Sequence, residues 1–291
     1  MDDTVYRFRI GDFDCAAISD GALAYEPPLF PPPGQFLFVN APADRLARAL
    51  AEHGLVREDW QRWTSPYTCL LVNTGSSLVL IDTGAGGLAP STGTLVENLG
   101  SLGVDPEQID LVVITHAHPD HLGGNTAADG SVLFPRASWV ISKTEWDFWL
   151  GGQAEAALPE HGKEILLGYA QRNLAPIKDL VDLVVGEKEL LPGVRFLPAP
   201  GHTPGHSVVA LSSGEEELLC LSDLVLHPLH LEEPGWFAAV DMLPDQLVSS
   251  RRLFLARAAQ EKCRIMLFHF PFPGLGRIRP RGDGWQWEPE R

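Results

Sequence analysis

Residues 109–114 form an apolar run that reads as a strand, and it leads directly into Thr115-His116-Ala117-His118-Pro119-Asp120-His121. No other stretch narrows the fold so far, because a strand ending in such a loop delivers several metal-ligand side chains to one point. On an extended or turning backbone, residues two apart face the same way, so His116 and His118 can address one ion. Asp120 and His121 follow at the turn, displaced toward a second ion. Neutral imidazole and carboxylate suit zinc and neighbouring transition metals. The plain alternative is a polar surface loop. With only ten histidines in 291 residues, three within six positions fit that alternative poorly.

A metal site of this kind needs partners from elsewhere in the chain. Three further apolar runs, 194–197, 218–221 and 265–268, read as strands. The first is followed by Pro200-Gly201-His202-Thr203-Pro204-Gly205-His206, the second by Ser222-Asp223 and the third by His269. Upstream, a run of valines and leucines ends in Asp82-Thr83-Gly84, where an unpaired carboxylate would be costly. Asp82 is expected to accept the remaining N–H of a ligand histidine, fixing the tautomer and ring direction. A hydrogen-bonding turn aspartate is the bland alternative.

The H-x-H-x-D-H run, the D-T-G element and the later histidine and aspartate positions together resemble the metallo-β-lactamase superfamily. The resemblance implies an α/β fold, the αβ/βα four-layer sandwich, with two mixed β-sheets face to face, helices outside and metals at one edge. It gives His116, His118 and His202 to a first metal and Asp120, His121 and His269 to a second, with Asp223 bridging both. The cofactors implied are two divalent ions, zinc first, with manganese, iron or cobalt also accepted by such ligands. Within the superfamily the chain is similar to the methyl parathion hydrolase-like, lactonase-like branch. That similarity runs through Ile10-Gly11-Asp12-Phe13, Ser19-Asp20-Gly21, residues 79–87 and 115–124, His202 to His206, and Pro271-Phe272-Pro273-Gly274.

Members of that branch hydrolyse lactones, aryl esters or organophosphate triesters, so the resemblance implies a binuclear metal-dependent hydrolase using a metal-bridging hydroxide. Asp120 is then the group expected to accept the nucleophile's proton. An N-acyl-homoserine lactonase is the alternative, although Leu226 stands where such enzymes usually carry a tyrosine. A mononuclear iron persulfide dioxygenase and a non-catalytic metal-binding protein stay open as lesser alternatives. Trp146, Trp149, Leu226, His227, His230 and Phe270 are the candidate substrate-pocket residues, while His206 is expected to be structural.

Composition bounds the rest. With 45% apolar residues the chain can bury a large core, and residues 1–291 read as one domain because the ligands must converge. About 1–65 hold an N-terminal hairpin at 5–18, a proline-rich arm at 27–34 and a helix at 42–53; 66–291 hold the metal-binding core. Further helices are expected at 91–102 and 246–261, and a helical or lid segment at 143–149. The net charge of −16 argues against a nucleic-acid partner and for a small-molecule substrate. Cys15, Cys69, Cys220 and Cys263 lack C-x-x-C spacing and read as buried free thiols. Neither a signal peptide nor an apolar run of the ~20 residues a membrane helix needs is seen, so a cytoplasmic protein without membrane association is expected. A homodimer is implied only by the resemblance.

Overall fold

The computed structural model describes residues 4–290, the side chain of His161 apart. Its first sheet holds β1 (Val5–Ile10), β2 (Phe13–Tyr25), β3 (Trp63–Asn73), β4 (Leu78–Ile81), β5 (Leu111–Val113), β6 (Ser138–Ser142) and β7 (Val181–Val184), paired in that order. The second holds β8 (Lys188–Leu191), β9 (Val194–Pro198), β10 (Ser207–Ser213), β11 (Glu216–Cys220), β12 (Arg264–Met266), β13 (Leu275–Arg281) and β14 (Gly284–Pro289), again in sequence order. Both sheets are mixed: β4 to β7 are parallel in the first, and only β11 and β12 are parallel neighbours in the second.

The strands bury both faces, and their period of two separates the layers. On β5, Leu111 and Val113 enter the core between the sheets, with Val79, Val209 and Leu218. Val112 points the other way, into the cluster with Leu95, Leu99 and Trp149 beneath the helices. The second sheet's outer face is covered by the helix Pro244–Glu261 through Leu247, Phe254, Leu255 and Ala258. Two sheets inside and helices outside make the expected four-layer sandwich.

Topology brings the loops to one edge. The parallel run β4-β5-β6 places Asp82, the Thr115–His121 loop and Glu145 just beyond the carboxyl ends of adjacent strands, the usual ligand position in such sheets. In the second sheet β9, β11 and β12 run the same way, because β10 is antiparallel to both β9 and β11. His202, Asp223 and His269 therefore emerge at one end.

Three expectations change in detail. The first hairpin continues past Ile18, as β2 runs to Tyr25 against Trp63 of β3. The proline-rich arm is not wholly irregular: a short helix, Pro33–Phe36, starts on a proline, which the first helical position tolerates. The helix expected from Ser91 begins at Leu95. The four cysteines are buried and unpaired. No helix among the described residues is long and apolar enough to cross a membrane.

Candidate metal centre and its cleft

The loop after β5 turns into the short helix Pro119–Leu122, which carries Asp120 and His121 back toward His116 and His118. His116, His118, His202 and Asp223 gather ligand atoms that all lie within 4.8 Å of one another, and Asp120, His121 and His269 do the same beside them. His118 Nδ1 lies 2.9 Å from His202 Nε2. Asp223 stands between the two sets: Oδ2 is 3.1 Å from His202 Nε2 and 3.1 Å from His269 Nε2, and Oδ1 is 3.1 Å from His121 Nε2. Asp120 Oδ2 lies 3.6 Å from His269 Nε2 and 3.9 Å from His121 Nε2.

Residues behind the ligands hold these positions. Asp82 Oδ2 accepts from His121 Nδ1 at 2.8 Å, while its two oxygens also take the Thr115 N–H and hydroxyl. Its backbone is left-handed, φ 59°, a conformation aspartate tolerates better than most residues. His202 Nδ1 donates to Asp241 at 2.6 Å, and His269 Nδ1 meets the Ser65 hydroxyl at 2.7 Å. Glu145 is fully buried and accepts four hydrogen bonds, from Ala117 N–H, Trp149 Nε1–H, the Thr203 hydroxyl and Gly205 N–H. It thereby ties the His116–His121 loop to the His202–His206 loop. His206 is packed away from the ligand atoms: Nδ1 donates to Ala199 O, and Nε2 accepts the Asp223 N–H.

Asp241, Ser65 and Glu145 were not singled out in the sequence. Each meets its partner only through tertiary folding, and Glu145 looked like any acid in a helix's first turn.

Burial alone would raise the pKa of Asp223, but His269, His121 and His202 hold it well below the ordinary carboxylate range. Burial keeps His116 and His118 well below their usual value, the neutral form a metal takes. The Nε2 atoms of His116, His118 and His121 and Asp223 Oδ1 are buried without a hydrogen-bond partner. His116 Nε2, His121 Nε2 and Asp223 Oδ1 meet at one spot, the two nitrogens 3.8 and 3.1 Å from the Asp223 carboxylate; left unpaired they would be costly in a dry interior, and a pair of cations satisfies them. Nitrogen and carboxylate donors of this kind fit two divalent ions.

The centre floors a cleft of about 140 Å3, walled by Leu23, Tyr25, Phe30, Phe36, Trp63, Leu88, Ile165, Leu166, Leu226 and Val240. Leu226 is thus in the wall; the other expected pocket residues are elsewhere. Trp149 is core, its ring 5.9 Å from His118 but its Nε1–H spent on Glu145. Trp146 packs half-buried against the same core. His227 caps the helix Pro228–Glu232 by accepting the Leu229 N–H. That helix turns His227 and His230 toward Phe38, ring centres 5.4 and 5.1 Å away, and His230 Nε2 donates to Leu37 O. Phe270 lies on the far side of the second sheet against Trp287. The aromatic walls come instead from β2, β3 and the arm.

A sequence model of the metallo-β-lactamase superfamily matches residues 62–266. The chain belongs to that superfamily. It is 26% identical over 227 residues to the N-acyl homoserine lactonase AiiA of Bacillus thuringiensis subsp. kurstaki, covering 70% of this chain and 81% of that one. A probable metallo-hydrolase of Mycobacterium tuberculosis is 29% identical over 188 residues, 54% of this chain and 56% of that one. Among solved structures, AidC, a dizinc quorum-quenching lactonase in complex with a product, N-hexanoyl-L-homoserine, superposes with a TM-score of 0.89 at 29% identity, covering 99% of this chain and 98% of that one. The hydrolase AbOPH gives a TM-score of 0.86 at 28% identity, with 99% and 98% covered. The superfamily member described here is a metal-dependent hydrolase.

Proposed function

We propose that this enzyme is a binuclear lactonase that opens the ring of lactones carrying an apolar substituent, N-acyl homoserine lactones among them. The observation that carries the reading is Asp223 between two ligand sets, the ligand atoms of each lying within 4.8 Å of one another, beneath a cleft whose walls are apolar. Two bound divalent ions, zinc first, would polarise an ester carbonyl and acidify a water. Asp223, placed between the two sets, would be the residue that holds both ions. Asp120, at the cleft floor beside His121 and His269, accepts the proton of the attacking water and returns it to the leaving ring oxygen as the acyl C–O bond breaks. The similarity to AidC and AiiA supports this substrate class.

A second reading, hydrolysis of aryl esters and organophosphate triesters, is favoured by the aromatic wall of Tyr25, Phe30, Phe36 and Trp63. The arm's place in that wall supports residues 1–291 acting as one domain. Four unpaired thiols suit a reducing, cytoplasmic setting.

The test is a substrate panel before and after chelation: an acyl homoserine lactone, dihydrocoumarin, a nitrophenyl ester, paraoxon and a β-lactam. Turnover of the lactones, lost on chelation and restored by zinc, supports the reading; turnover of the β-lactam alone overturns it. Asp223→Ala is expected to retain fewer than two metals per chain and to lose nearly all hydrolysis, and full activity would reject the shared ligand.

A further inference from the structure

The long strands β2 and β3 overhang the metal edge of the first sheet and place one face of side chains over it. Tyr25 pairs with Trp63, and Leu23 with Ser65, across the ladder; directly opposite residues share a face. Ser65 on that face contacts His269, and the Tyr67 ring is 5.6 Å from the His269 ring. Two phenols meet here, with Tyr25 Oη and Tyr67 Oη 3.0 Å apart.

Tyr67 is completely buried, and the Tyr25 oxygen is its hydroxyl's hydrogen-bond partner. A buried donor left unmade costs about 1–3 kcal/mol, so the Tyr67 O–H donates to Tyr25 Oη. The proton of Tyr25 is then free, and Tyr25 lines the cleft, among apolar walls and beside Asp120 and His269. Among the described residues the Tyr25 hydroxyl has no other hydrogen-bond partner than Tyr67. We propose that Tyr25 is a catalytic hydrogen-bond donor to the leaving oxygen of the bound ester, aimed by Tyr67. Burial, and then the charge of Asp120, push the Tyr25 pKa upward, so the phenol stays protonated throughout the working range.

This inference rests on the hydrolase reading. Wild-type turnover of a lactone tests that reading, and the variants test this one. A lactone must expel a basic alkoxide, whereas a nitrophenyl ester expels a stable anion needing no donor. Tyr25→Phe is expected to lower lactone kcat roughly 10- to 100-fold and nitrophenyl ester kcat by less than about threefold, with two metals per chain retained. It should also weaken binding of the hydroxy-acid product, followed through the fluorescence of Trp63, whose ring is 5.0 Å from Tyr25. Tyr67→Phe leaves the Tyr25 proton in place but unaimed, and is expected to cost lactone kcat less than Tyr25→Phe does. Equal losses on both substrates, or no loss on the lactone, overturn the proposal. Should Tyr25→Phe fail to fold, Tyr67→Phe decides: a loss of kcat confined to the lactone supports the donor, and no loss, or an equal loss on the nitrophenyl ester, rejects it.

Discussion

Glu145 shows what one side chain can hold. Four donors from three segments converge on its two oxygens, an arrangement only an acceptor-only carboxylate satisfies. Burial pushes its pKa up against those four donors. Glu145→Gln keeps one oxygen and turns an amide toward two of the donors. It is expected to destabilise the fold by roughly 2–5 kcal/mol, read by chemical denaturation. It should also loosen metal binding, because the loops carrying His116, His118 and His202 are tied together through it. Asp120 and His121 were legible from spacing alone; Glu145 was not, because its partners Ala117 and Thr203 are 28 and 58 residues away.

At the scale of elements, the metal loop depends on how closely it passes the turn after β4. A Cβ on Gly124 would sit 2.1 Å from Thr83 O, and one on Gly123 2.2 Å from Ala85 O. Both obstacles are backbone, so neither can swing aside. Gly123 and Gly124 give the room that this close approach needs. Gly124→Ala is expected to cost about 1–3 kcal/mol and to lower metal retention by displacing Asp82–Thr83 from His121. Gly100→Ala, in the helix Leu95–Ser101 with nothing near the added methyl, should be neutral or stabilising by about 0.5–1 kcal/mol. Melting temperature and metal per chain check both.

Element boundaries also explain why part of the cleft was hidden. The pairing of β2 with β3 slips between Ser19 and Gly21, leaving Asp20 as a bulge. Its carboxylate takes the N–H groups of Ala85, Gly93 and Leu95. The bulge breaks the alternation that marks a strand, so the hairpin seemed to end at Ile18. The overhang that carries Leu23 and Tyr25 into the cleft was lost with it.

For the whole molecule, acid sensitivity follows from histidines buried without charge. Burial, and then the nearby His53, depress the His227 pKa to about 3. In the unfolded chain it is about 6.5. Below that value the unfolded state takes a proton that the folded state refuses. The stability contributed is therefore present above about pH 6.5 and is lost as pH falls toward 3. At pH 5 the loss from this group is about 2 kcal/mol, and buried His230, also depressed, adds to it. His227→Asn keeps an acceptor for the Leu229 N–H and removes the titration. Its stability should fall about 2 kcal/mol less than wild type between pH 7 and pH 5, measured by denaturant midpoints.

From the sequence alone came the strands that end in candidate ligands, written in short-range spacing: His116 and His118 two apart, apolar runs of strand length, a carboxylate at a strand's end. The division of the ligands between two ions and the four-layer sandwich came from the resemblance to the superfamily that those residues carry. The tertiary structure decided which side chains back the ligands and which form the walls. Asp241 behind His202, Ser65 behind His269, and the Tyr25–Tyr67 pair are 39, 204 and 42 residues apart. Such pairs leave no periodic trace. They exist only because two sheets, once stacked, bring the ends of β2, β3, β9 and β12 to a single edge.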